Sequence, residues 1–213
     1  MAITANSLTF SVASTALASV AGVPAGVLLA FRSFPGRRAI VSAVQTLVGL
    51  PTVVVGLLVF GLLSRAGPLG RLGLLFTPAA VIIGQAILAL PIVVSFVAAG
   101  LAGLDAGLDD TLRTLGASRF RRMLKIVREG RIAVASAVLT GFGRVIGEVG
   151  IAMMLGGNIR WYTRTITTAI ALETQKGAFA MSVALGIVLI VLAFGVNVGL
   201  SYLIRFRPVS RTP

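Results

Sequence analysis

The chain is predicted to fold as an all-α polytopic membrane protein with about five transmembrane helices, and three observations carry that expectation. Its mean hydropathy is +1.01. Charged residues make up 12% of its 213 residues, where soluble domains carry about 25%. Its apolar residues gather into long charge-free runs instead of recurring at a helical or strand period, and roughly 20 apolar residues are what a helix needs to cross the hydrocarbon core.

Five runs reach that length. The first, 9–31, sits where a secretory signal would, but it has no positive n-region and exceeds an h-region of about 7–15 residues, so it reads as a retained span. The second covers 39–63, the third 77–101, the fourth 132–155 and the fifth 179–204. Pro24, Pro51 and Pro91 fall inside the first three, where each removes a backbone donor and kinks a helix. They fit ordinary membrane-helix packing, in which proline is common, or bends around a central pathway. No repeat, low-complexity tract or second domain is visible, so one transmembrane domain is expected over 8–205, with a cytoplasmic loop at 102–131 inside it.

The net charge is +13. In a soluble chain this would suggest nucleic acid, but every cation except Arg144 lies in the loops between apolar runs or in the tail, and no nucleic-acid partner is expected. Arg32, Arg37 and Arg38 follow the first run, and Arg113, Arg119, Arg121, Arg122, Lys125, Arg128 and Arg131 follow the third. Arg205, Arg207 and Arg211 end the chain. These thirteen face five on the other side: Arg65, Arg71, Arg160, Arg164 and Lys176. Cytoplasmic loops hold the excess of Lys and Arg, which predicts the C-terminus inside and the N-terminus outside. Cysteine and histidine are absent, so no disulfide, thiol nucleophile, ordinary zinc site or catalytic residue is proposed.

Two places in this apolar chain are conspicuously polar. Arg144 and Glu148 stand four residues apart, on one face of a continuous helix, and Arg144 lies roughly 18 Å into its span at 1.5 Å per residue. A lone charge there costs at least about 2.5 kcal/mol. The pair is either a structural ion pair or the lining of an anion pathway, Arg144 supplying positive potential and Glu148 anchoring it. Next come Gly156, Gly157, Asn158, Arg160, Thr163, Arg164 and Thr165 with an aromatic pair, Trp161 and Tyr162. Such a loop could contact an oxyanion or a docked protein, or sit at the interface held by its aromatic residues.

The second polar place is the loop around Asp109-Asp110-Thr111-Leu112-Arg113-Thr114-Leu115-Gly116-Ala117-Ser118-Arg119. Three acids, Asp105, Asp109 and Asp110, come early and the bases late, which suits a short helix over about 109–115. A polar loop held at the membrane surface by spans on either side suits transmission of force from a soluble partner.

Asp110, Thr111 and Leu112, with Gly116 after three intervening residues, resemble the coupling loop of ABC-importer permeases, whose pattern is Glu-Ala-Ala, three residues, then Gly. Ile126 falls at the family's aliphatic place; Asp replaces Glu, and Arg128-Glu129 replaces the usual Leu-Pro. Gly143-Arg144-Val145-Ile146-Gly147-Glu148-Val149-Gly150, Gly156-Gly157-Asn158-Ile159-Arg160 and Tyr162-Thr163-Arg164-Thr165 are similar to the permease subunit of tungstate importers, within the molybdate, tungstate and sulfate permeases. Phe34-Pro35-Gly36-Arg37-Arg38 and Gly49-Leu50-Pro51-Thr52 agree with that branch.

The resemblance implies a type I ABC transmembrane domain in a prokaryotic plasma membrane, working as a homodimer with ABC ATPase subunits and an extracytoplasmic solute-binding protein. It implies coupling through Asp110, Thr111, Leu112, Gly116, Ala117, Ser118 and Arg119, and a pathway or gate around Arg144, Glu148 and the 156–165 loop. Family members usually have more residues before the first span, which implies a truncated or misassigned start. The chain has no Gly-x-x-x-x-Gly-Lys-Ser/Thr loop, so ATP and Mg are expected on the partner subunit and no cofactor on this one. A secondary anion transporter, the alternative of another class, would need an ion-coupling carboxylate or inverted repeats. A non-transporting scaffold would have no use for Arg144 and Glu148 at depth.

Overall fold

The computed structural model describes residues 2–104 and 107–205, and among these every regular element is helical. The helices are α1 (Ala2–Phe31), α2 (Arg37–Val48), α3 (Thr52–Leu63), α4 (Pro78–Leu101), α5 (Gly107–Thr114), α6 (Arg119–Glu129), α7 (Arg131–Ile146), α8 (Gly150–Gly156), α9 (Ile166–Gln175) and α10 (Phe179–Arg205). Asp105 and the tail cations Arg207 and Arg211 lie outside the described residues.

α1 and α4 form the centre and run side by side in the same direction. Ser14 meets Gln85 at 3.4 Å, and Gly22 and Gly26 sit against Val93 and Val97. With no hydrophobic drive between helices in lipid, close backbone approach over small residues supplies the packing. A Cβ on Gly26 would lie 2.7 Å from Val97 and 2.9 Å from the Val94 carbonyl oxygen. α7 runs antiparallel to α4 and packs against both α4 and α1, with Gly141 against Val93 and Gly130 against Leu101. Two cores result. One joins Val27, Val97, Leu101, Ile126 and Val134; the other joins Val55, Val59, Leu88, Ile151 and Leu155.

α1, α4 and α10 are long and apolar enough to cross a bilayer. The second and fourth spans differ from the sequence expectation of continuous helices. α2 and α3 meet at 99°, and α7 and α8 at 63°. The first break falls at Gly49-Leu50-Pro51. Pro51 stands just before α3 instead of inside a helix, because its ring lacks the N–H and disfavours helical backbone at Leu50. α2 buries no residue and carries Arg37 and Arg38, so it suits the plane of an interface. α3 alone is about 18 Å long, short of a hydrocarbon core of about 30 Å.

Each bent pair still carries the chain from one end of the bundle to the other. α2 lies beside Ser95, Ala98 and Ala102 near the end of α4, while the segment after α3 reaches Leu155, whose carbonyl accepts from the Phe76 N–H at 2.8 Å. With each bent pair counted as one span, up to five crossings stand, two of them broken. Their alternation gathers the arginines of 32–38 and 113–131 at one end and the 64–77 and 156–178 loops at the other.

Gly26→Val should destabilise the detergent-purified chain by about 1–3 kcal/mol, the usual cost of overpacking, visible as a lower melting temperature. Gly61→Ala, where nothing lies within 4 Å of the added carbon, should leave the melting temperature unchanged or higher.

Candidate functional site

The break between α7 and α8 is closed by one side chain. α7 stops at Ile146, with Gly147 as its C-cap, so Glu148 lies beyond the helix end and not on the continuous face that its spacing from Arg144 predicts. The two still pair, the Arg144 Nη1 donating to Glu148 Oε2 at 2.7 Å. Glu148 Oε1 accepts from the Ile151 N–H at 3.3 Å, satisfying a donor in the first turn of α8 that has no helical partner. Its carbonyl accepts from the Thr167 hydroxyl at 3.0 Å. Glu148 is 4% exposed and Arg144 40% exposed, so the carboxylate is structural filling and the guanidinium shows an open side.

That open side belongs to a face. Ile132, Ser136, Thr140, Gly143, Arg144 and Gly147 are all exposed along α7, and Ser136, Thr140 and Arg144 follow one another at four-residue intervals. The Thr140 hydroxyl donates to the Ser136 carbonyl at 2.9 Å. Asn197, the amide side chain of α10, lies with its Nδ2 3.8 Å from where a Cβ on Gly143 would stand. Polar groups at membrane depth face a bundle interior or a wet cavity, and a row of hydroxyls ending in a cation can pass an anion. Sequence reading missed Ser136, Thr140 and Asn197. The four-residue spacing back from Arg144 could have found the first two; only packing brings in the third.

The loop after α8 is closed by its own hydrogen bonds. Gly156 is buried, with Val81 and Thr163 too close for a side chain. Gly157 (φ +67°) and Asn158 (φ +51°) turn the backbone in the left-handed region, which Gly and Asn tolerate best. The fully buried Thr163 donates its hydroxyl to the Gly156 carbonyl and accepts from the Ile159 N–H at 3.0 Å. Arg164 donates from Nε to Asn158 Oδ1 at 3.0 Å, and from its terminal nitrogen to the Asn158 carbonyl at 3.1 Å. Thr165 is buried and caps α9 reciprocally with Thr168. From α1, Asn6 donates to the carbonyls of Tyr162 and Arg164, and Ser7 accepts from the Ile166 N–H. Among the expected loop residues, Arg160 alone extends a charge fully outward, stacked 5.0 Å from the exposed Trp161 ring.

At the opposite end, α5 and α6 form two short helices joined at Gly116. The Ala117 N–H bonds the Leu112 carbonyl and the Gly116 N–H bonds the Arg113 carbonyl, both at 3.0 Å, with Gly116 at φ +72°. This is a Schellman ending. Nothing lies within 4 Å of a Cβ on Gly116, so its backbone angle, not space, requires glycine. Ser118 caps α6 by accepting from the Arg121 N–H. Asp110, Thr111, Ser118 and Arg119 are exposed, while Leu112 and Ala117 are half-buried. The predicted helix over 109–115 is thus α5, placed slightly earlier. Leu115 and Phe120, 76% and 68% exposed, were not anticipated; apolar side chains in a cationic segment were the available signal.

Residues 22–206 match the family described as binding-protein-dependent transport system inner membrane component. The chain is 42% identical over 218 residues to a probable anion ABC transporter permease protein of Haloferax volcanii, the match covering 100% of this chain and 92% of that one. It is 45% identical over 167 residues to the tungstate uptake system permease protein TupB of Campylobacter jejuni, covering 78% and 70% respectively. The TupB of Peptoclostridium acidaminophilum is 37% identical over 184 residues, covering 86% and 81%. Two inward-facing crystal forms of the MetNI methionine ABC transporter share the fold at TM-scores of 0.73 and 0.74, with 19% and 18% identity, over 94% of this chain and 92% of theirs. With its helical bundle, broken spans and polar face, the chain belongs to the inner-membrane-component family of binding-protein-dependent transport systems.

Proposed function

We propose that this chain is the translocating subunit of an ATP-driven ABC importer for an oxyanion, tungstate first and molybdate second. The observation that carries the reading is the exposed row of Ser136, Thr140 and Arg144 on a membrane helix. It needs a wet, anion-bearing surface opposite it, and two copies facing each other would enclose one. The names of the relatives from Campylobacter and Peptoclostridium support tungstate. Discrimination between two oxyanions of similar size and charge belongs to a separate extracytoplasmic binding protein. α10, apolar and exposed at Phe179, Val183, Ile187, Ile190 and Phe194, faces lipid or the second copy of a homodimer.

Glu148 lets Arg144 attract an anion without trapping it, because part of the guanidinium charge is already engaged. The reading extends to a gate at the α7–α8 break, where Glu148 joins both helices and, through Thr167, α9. The 156–165 loop, stiffened by Thr163, Arg164 and Thr165, offers Arg160 to the binding protein or to the arriving anion. At the cation-rich end, taken as cytoplasmic, α5 and α6 dock on an ATPase that binds ATP and Mg. Leu115 and Phe120 give that dock its apolar contact.

Uptake by the complete transporter in proteoliposomes tests the pathway. Arg144→Gln should cut ATP-dependent tungstate uptake about tenfold or more, the loss of one charge-assisted contact, with a smaller change in protein level. Arg144→Lys should restore part of it. Faster uptake of sulfate than of tungstate or molybdate would overturn the substrate, and equal loss of protein and uptake would leave the pair a purely structural one.

Coupling has its own test. Asp110→Lys and Gly116→Val should insert normally, yet separate ATP hydrolysis from uptake in the assembled transporter. A cysteine in place of Ser118 should resist impermeant reagents in intact cells. Normal uptake by both variants, or external labelling at 118, would remove this segment from the ATPase interface.

A further inference from the structure

Where α1 leaves the membrane, two cavities adjoin. One, of about 520 Å³, is lined by Phe31, Arg32, Ser33, Asp110, Arg113, Arg119 and Arg122. Four guanidinium groups thus surround it against one carboxylate among the described residues. The other, of about 220 Å³, is an apolar groove between α1 and α6, lined by Pro24, Val27, Leu28, Met123 and Ile126. The two share Phe31, Arg32, Arg119 and Arg122. From Pro24 to Phe31 the groove follows α1 for about 10 Å, inward from the polar end towards the hydrocarbon core.

We infer that the pair of cavities is a binding site for an anionic phospholipid, the phosphate among the arginines and one acyl chain along the α1–α6 groove. Charge complementarity and continuity argue for this occupant. A free anion satisfies the arginines but leaves the groove open. Basic pockets between membrane helices near the headgroup region suit anionic headgroups, and the groove's position on a transmembrane helix gives an acyl chain direct access. The lipid bridges the end of α1 to α5 and α6, so it braces the segment carrying Gly116 against the bundle. The site does not depend on which solute is transported.

The full-length chain, purified in mild non-ionic detergent from membranes containing phosphatidylglycerol and phosphatidylethanolamine, should retain phosphatidylglycerol preferentially by native mass spectrometry. Arg32→Gln with Arg119→Gln should lower that retention about twenty-fivefold, each cation near the headgroup contributing roughly fivefold. Leu28→Trp, which fills the groove without changing charge, should lower it as well, while Arg121→Gln should not. Should the double variant fail to fold, phosphatidylglycerol added to the wild-type chain in nanodiscs of phosphatidylcholine should still raise its melting temperature, and no rise would overturn the site. Retention of both lipids in membrane proportion would also overturn it. Displacement by millimolar inorganic phosphate, with Leu28→Trp inert, would assign the arginines to a free anion. Unchanged lipid with a loss of dimer in Leu28→Trp would assign the groove to a second copy.

Discussion

A helix that ends inside a bilayer leaves donors and acceptors with no water to receive them. The α7–α8 break is such an ending, and Glu148 resolves it by serving both sides. Its carboxylate bonds Arg144 on α7 and the Ile151 N–H on α8, and its carbonyl receives Thr167 from α9. Removing Arg144 would leave the buried carboxylate without its cation, a cost that the 40% exposure of the guanidinium keeps below that of a fully buried pair. The bend follows from that arrangement, and so does the outward guanidinium, since the carboxylate is spent on structure and the cation is left partly free.

The rest of the bundle holds this break in place through close packing rather than apolar drive. Glycines 22 and 26 let α1 lie on α4, and Gly141 lets α7 join them, all three against the Val93–Val97 stretch. Gly84 repeats the device with α8, its missing side chain leaving room for Leu155 and Ile151. The polar seam of Ser7, Ser11, Ser14 and Thr15 along α1 is buried. Ser7 and Asn6 tie that helix to the 162–166 backbone. The face of α7 not claimed by these contacts is the polar one.

Electrostatics separate the two ends. One gathers arginines around the terminus of α1 and along α5 and α6. The other holds its cations singly, Arg164 bound to Asn158 and Arg160 stacked on Trp161. α6 is anchored to the core through Ile126, which is buried with Val97, Leu101 and Val134.

Much was legible in the sequence, because a bilayer imposes requirements that composition alone must meet. Apolar runs, the loop bias of arginine and the isolated Arg144–Glu148 pair pointed to the candidate spans, the cation-rich end and the ion pair at the α7–α8 break. Gly116 between two short helices was legible too, since a positive φ is a local property of one residue. Hydropathy could not separate a continuous span from a bent one, because the Gly49-Leu50-Pro51 and Gly147-Glu148-Val149 breaks interrupt no apolar average. Nor could residue type tell which hydroxyl-bearing residues face an open surface. Thr163 and Thr165 were read with the pathway, yet the tertiary structure engages both in loop hydrogen bonds and leaves Ser136 and Thr140 on the open face. That division depends on which helix packs where, and contacts between residues such as Asn6 and Arg164, 158 positions apart, exist only once the chain has folded.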